Sequence, residues 1–134
     1  MPHTAQEARL WVALSTTAGV CEEILFRGYL IAVLAGWMRP ALGAGVAIGL
    51  AYVGALVLFG FAHVYLGRTG AIRAGLAGAA VAGLYALTGS LWVPMLLHAA
   101  VDLHSGRLGY EALREDRPPA RAGAGGAATL EPQP

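Results

Sequence analysis

Two uncharged apolar stretches, residues 41–66 and 74–101, dominate the hydropathy pattern of the chain. A helix crossing about 30 Å of hydrocarbon at 1.5 Å per residue needs roughly 20 apolar residues, so the first stretch reads as one membrane span. The second exceeds one span and is interrupted by Thr88, Gly89 and Ser90, with Pro94 close behind. Ser90 is placed to cap a new helix and Pro94 fits a first helical turn, which predicts a break there. Four helices follow: A, ending near Met38 before Pro40, then B over 41–66, C over 71–87 and D over 91–105. The predicted fold is all-α, a polytopic membrane helix bundle of about four transmembrane helices. It divides into an N-terminal interfacial segment (1–17), a helical core (18–106) and a tail (107–134) whose Arg, Glu, Pro and Gly predict a disordered cytoplasmic segment.

Composition narrows the class. The chain has 134 residues, 57% hydrophobic and 13% charged, and a mean hydropathy of +0.58. Soluble domains carry about 25% charged residues and disordered chains far fewer aliphatics, so both classes are excluded. A formal charge of +1 gives no case for a nucleic-acid partner. The single cysteine, Cys21, excludes an intramolecular disulfide and reads as a small core residue. Gly45 with Gly49, and Gly75 with Ala79 and Gly83, predict small-residue ridges where helices approach closely in lipid.

Arginine fixes the orientation. With four spans, Arg9, Arg68, Arg73, Arg107, Arg114, Arg117 and Arg121 fall on the side of the termini and only Arg39 on the other. By the positive-inside rule both termini are cytoplasmic. Trp11 then lies toward the inner interface and Trp37 and Trp92 at the outer one, where indole rings settle.

Against this apolar background the ionisable residues stand out, because each costs several kcal/mol inside a membrane and so marks function by default. Helix A holds Glu22, Glu23 and Arg27, helix B holds His63, and helix D holds His98 and Asp102. Counting back from Trp37 places Glu22 about 7 Å inside the cytoplasmic edge. His63 and Asp102, each a few residues from Arg68 or Arg107, reach roughly the same depth, about 7 Å. One site open to the cytoplasm is therefore expected. Glu23 and Arg27 are i, i+4 and pair on one face, whereas Glu22 is rotated about 100° away and is free to face the bundle centre. A carboxylate beside an imidazole is suited to activating a water.

These residues fall into motifs that resemble a known family. Glu22-Glu23-Ile24-Leu25-Phe26-Arg27 resembles EExxxR, Phe59-Gly60-Phe61-Ala62-His63 resembles FxxxH, and His98-Ala99-Ala100-Val101-Asp102 resembles HxxxN/D of the CPBP intramembrane proteases. That family includes the type II CAAX prenyl endopeptidases and the Abi bacteriocin-immunity proteins. The resemblance implies hydrolysis of a peptide bond in a membrane-associated peptide or protein, in a cell membrane such as the bacterial inner membrane. Glu22 would be the general base, and His63 would orient the attacking water. Glu23 and Arg27 would fix the geometry. His98 and residue 102 would stabilise the oxyanion, a contribution of about 3 kcal/mol per donor in proteases. Asp102 stands where other members have Asn, and an ionised carboxylate cannot donate to an oxyanion. A divalent metal such as zinc, held by Glu22, His63 and His98, is a further expectation. The short chain leaves room for an oligomer or a partner membrane protein besides lipid.

Two other classes compete with this reading. A non-enzymatic immunity or partner-binding protein has no need of six ionisable groups in lipid. An ion or proton conductor needs a polar path to the outer face, and the outer halves of helices B, C and D offer almost none.

Overall fold

The computed structural model describes residues 2–115. Four helical rods account for nearly all of them. The first is one continuous run: α1 (Ala5–Glu23), a π-helical segment (Ile24–Leu30) and α2 (Ile31–Leu42). Thr4 starts it, its hydroxyl accepting the Glu7 backbone N–H at 3.1 Å, while the Glu7 carboxylate accepts the His3 N–H at 2.8 Å. The interfacial segment expected over 1–17 is thus the first half of a longer helix. Helix A was also expected to stop before Pro40, but α2 continues to Leu42 with Pro40 inside it. A proline this close to a helix end removes one hydrogen bond only. The stop comes from Gly43, whose φ of 75° is open to glycine and disfavoured for other residues.

The remaining rods are α3 (Ala44–Ala62), α4 (Gly67–Thr88) and α5 (Trp92–Glu115). A single 3-10 turn (Val64–Leu66) joins α3 to α4, so Arg68 lies in the first turn of α4 and not in a loop before residue 71. The Ser90 hydroxyl accepts the Trp92 N–H at 3.4 Å, and Pro94 sits in the first turn of α5 as expected. Helix D was expected to end at Ser105. It runs to Glu115, supported by an Arg107–Glu111 pair at 2.8 Å one turn apart. The rest of the expected tail, 116–134, lies outside the described residues.

Neighbouring rods run antiparallel. Along α1 and α5, Trp11 meets Gly106, Gly19 meets Ala99 and Gly28 meets Leu91. Between α3 and α4, Phe59 meets Gly78 and Tyr52 meets Tyr85. The inward stripe of α3 is Ala47, Ala51, Ala55 and Phe59, one residue per turn. Gly45 and Gly49 are rotated about 200° from that stripe, and a Cβ on either meets nothing within 4 Å. Gly75 and Gly83 are equally open, so neither expected small-residue ridge packs within the chain. The close approaches belong to Gly19, Gly78 and Gly106 instead, where an added Cβ would collide with the opposite helix.

The interior is inverted relative to a soluble protein. Glu23, Pro94 and Ser15 are the largest fully buried side chains, while Leu76, Leu96 and Val53 face outward. Such an arrangement is stable where the surroundings are hydrocarbon. Ala44–Ala62 and Val64–Thr88 are long and apolar enough to cross a membrane, and the first and last rods carry the expected site residues except His63, the C-cap of α3. The expected core position of Cys21 is not observed: the thiol is exposed.

Candidate active site

The site forms where α1 passes into the π-helical segment. Glu22 and Glu23 are the last residues of α1, and the wider turn that follows carries Arg27. Insertions of this kind often accompany functional sites in helices. Glu23 is completely buried, and its Oε1 accepts from two donors: Arg27 Nη1 at 3.0 Å and His98 Nδ1 at 2.6 Å. Arg27, 3% exposed, also donates from Nη2 to the Gly78 carbonyl at 2.8 Å and stacks 4.4 Å over the Phe59 ring. One buried ion pair thereby ties α1 to α3, α4 and α5.

His63 owes its orientation to a helix end. It is the C-cap of α3, with φ −101° and ψ 8°, and its N–H bonds the Gly60 carbonyl at 3.1 Å. The Phe59 carbonyl, one of the orphan acceptors of a helix C-terminus, is then taken by His63 Nδ1 at 2.8 Å. Phe59 itself wedges between Phe26, with ring centroids 5.0 Å apart, and His63, at 4.5 Å.

These contacts assign both tautomers. A carbonyl and a carboxylate only accept, so Nδ1 carries the proton in both His63 and His98 and each neutral ring keeps its lone pair on Nε2. Both Nε2 atoms point at the same carboxylate oxygen: Glu22 Oε2 lies 3.7 Å from His63 and 3.9 Å from His98. Asp102 Oδ2 lies 3.8 Å from His98 Nε2. Glu22 Oε2 is buried and without a hydrogen-bond partner among the described residues. A buried acceptor facing two more acceptors is costly unless a donor-bearing guest fills the space between them.

All six residues expected from the sequence therefore meet in one place. Trp11 was expected only as an interfacial ring. Its Nε1–H donates to the Asp102 carbonyl at 3.0 Å and so holds α1 against the turn of α5 after His98. Nothing in the local sequence around Trp11 signals a contact with a residue 91 positions away. The Gly78 carbonyl was equally illegible, since a backbone acceptor leaves no mark in side-chain chemistry.

The expected zinc set does not fit as the side chains stand. Ligands around tetrahedral zinc, each about 2.0–2.1 Å from the ion, lie about 3.3 Å apart. The two Glu22–imidazole separations are wider, at 3.7 and 3.9 Å. Among the described residues no group of three or more His, Cys, Asp or Glu is arranged to hold a metal ion.

A family model described as type II CAAX prenyl endopeptidase Rce1-like matches residues 4–104. The chain belongs to this family. The matched span contains all three motifs and every residue of the site. No curated protein and no solved structure matches the chain. A CAAX-type intramembrane protease is the kind of function this membership gives, with a peptide in a membrane as the kind of substrate.

Proposed function

We propose that this Rce1-like protein is an endopeptidase that hydrolyses a membrane-associated, CAAX-type peptide with a water activated by Glu22. The observation that carries the reading is the unpartnered, buried Glu22 Oε2, flanked by the Nε2 atoms of His63 and His98. A water about 2.8 Å from both Glu22 Oε2 and His63 Nε2 would donate one hydrogen to each. Glu22 and His63 thus orient it on one side and leave the other open to a carbonyl.

The chemistry then balances with the residues present. Glu22 takes one proton as the water oxygen bonds to the carbonyl carbon. The carbonyl π pair moves to oxygen, and His98, when protonated at Nε2, donates to that oxyanion. Glu23 holds Nδ1–H of the same ring and keeps it aimed. Collapse of the tetrahedral species breaks the C–N bond, and the proton on Glu22 passes to the departing amine. Asp102 flanks His98 Nε2 at 3.8 Å and acts as a counter-charge to the imidazolium, a role open to a carboxylate where direct donation is not. No step requires a metal.

The arginine distribution supports cytoplasmic termini, with the His63 turn at the same end of the bundle. The test is incubation of the purified protein in lipid nanodiscs with S-farnesyl and unmodified CAAX peptides, with products read by mass spectrometry. Cleavage by wild type and its loss in His63→Ala and His98→Ala support the reading. Intact peptides with a folded wild-type protein overturn it in favour of a partner-binding or immunity role.

A further inference from the structure

At the end of the bundle opposite His63, α2 and α3 meet at the Gly43 turn, and between them runs a groove of about 470 Å³. Ala32, Ala35, Gly36 and Arg39 form its α2 wall at i, i+3, i+4 and i+7, and Ala44 and Gly45 belong to the facing wall. A Cβ added at Gly36 or Gly45 meets nothing within 4 Å, so no described residue fills the space beside either glycine. From Ala32 to Arg39 the groove runs about 10 Å, roughly two thirds of one leaflet of the hydrocarbon core.

Charge at the mouth narrows the occupant. Arg39 is exposed and joins no ion pair among the described residues. Glu23, the nearest acidic residue along the same rod, is roughly 20 Å away. Gly43, the N-cap of α3, has no side chain with which to accept from the first turn, so N–H donors open toward the same end as Arg39. A cation at one end of an apolar groove complements an anion joined to an aliphatic chain. A second copy of the chain fits less well. Two copies inserted alike and packed groove to groove about a two-fold axis bring their Arg39 side chains together at one depth, where like charges repel.

We propose that the α2–α3 groove binds one phospholipid of net negative charge, with an acyl chain lying along Gly36 and Gly45 and the phosphate diester on Arg39. The site is separate from the hydrolytic one, since His63 lies at the far end of α3, about 28 Å away at helical rise. A lipid held there clasps the α2–α3 hairpin and so stabilises the folded chain by mass action.

The experiment is native mass spectrometry of the full-length protein in detergent, titrated with phosphatidylglycerol or phosphatidylcholine, beside melting temperatures under the same conditions. Wild type should retain one phosphatidylglycerol per chain in preference to phosphatidylcholine and melt higher with it. Arg39→Gln should weaken phosphatidylglycerol binding about fivefold, the worth of one cationic residue at an anionic lipid surface. Gly36→Leu puts a side chain in the groove and should abolish retention of both lipids, while its melting temperature without lipid stays the same or rises, as expected for removing a glycine from a helix. Inorganic phosphate should not displace the lipid. Equal retention of phosphatidylglycerol by wild type and both variants overturns the site. Displacement by inorganic phosphate overturns the acyl-chain contact, and wild-type dimers that Gly36→Leu dissociates overturn the lipid in favour of a second copy.

Discussion

His98 Nδ1 lies 2.6 Å from Glu23 Oε1, an oxygen that also accepts from Arg27 at 3.0 Å. One fully buried carboxylate thus neutralises an arginine and fixes the tautomer of an active-site histidine. The adjacent Glu22, one residue earlier, is left to face the reacting groups. Two neighbouring glutamates acquire different roles because a helix turns them about 100° apart.

That division makes Glu23→Gln informative. Arg27 would remain buried without a counter-charge, which costs about 3–5 kcal/mol when one partner of a buried pair is removed. Thermal unfolding in detergent should show the loss. A Glu23→Gln, Arg27→Met protein should recover much of the stability and little of the cleavage, since the amide oxygen can still accept from His98 Nδ1 but carries no charge to stabilise the imidazolium.

The helix contacts predict where glycine matters. A Cβ at Gly19 would sit 2.8 Å from the Ala99 backbone nitrogen, so Gly19→Val should force α1 from α5 and move Glu22 from His98. Overpacking of this kind costs about 1–3 kcal/mol, and cleavage should fall with it. Gly49→Ala meets nothing within 4 Å and should leave the melting temperature unchanged or raised. Equal losses in both variants would contradict the packing described above.

The ionisable site was legible in the sequence because lipid makes each such group expensive, so six residues at similar depth announce themselves. The helix count was legible for the same reason. What stayed hidden depends on relationships that no local window contains. The π-helical segment after Glu23 changes the phase between α1 and α2 without a proline to mark it, and Gly28 within it does not interrupt the run. The inward stripe of α3 uses alanine, whereas the sequence draws the eye to Gly45 and Gly49. Trp11 reaches the site because α1 begins at Ala5, inside the segment read as interfacial, and passes beside Asp102 of α5. The extension of α5 to Glu115 was missed since Arg107 and Glu111 look like a tail until their pairing along a helix is seen.

Trp11→Phe keeps the ring packing near Gly106 and removes the N–H donated to the Asp102 carbonyl. The expected stability loss is about 1 kcal/mol, the net worth of an ordinary hydrogen bond. A fall in kcat larger than this loss explains would show that the contact also positions His98. An unchanged kcat with reduced stability would confine Trp11 to packing.

Metal dependence is separable from all of this. The Glu22–imidazole separations of 3.7 and 3.9 Å lead us to expect cleavage that survives exhaustive dialysis against 1,10-phenanthroline and EDTA. Loss of activity on chelation, restored by added zinc alone, would show that the three side chains close around an ion.

The central claim is that Glu22 removes a proton from the attacking water. Glu22→Gln keeps the size of the side chain and removes its basicity, so its single-turnover cleavage rate on an S-farnesyl CAAX peptide is the most direct test. The account expects a fall of about 10²–10⁴-fold at unchanged peptide affinity and melting temperature, the usual contribution of a general base. A Glu22→Gln protein that cleaves at the wild-type rate would contradict it.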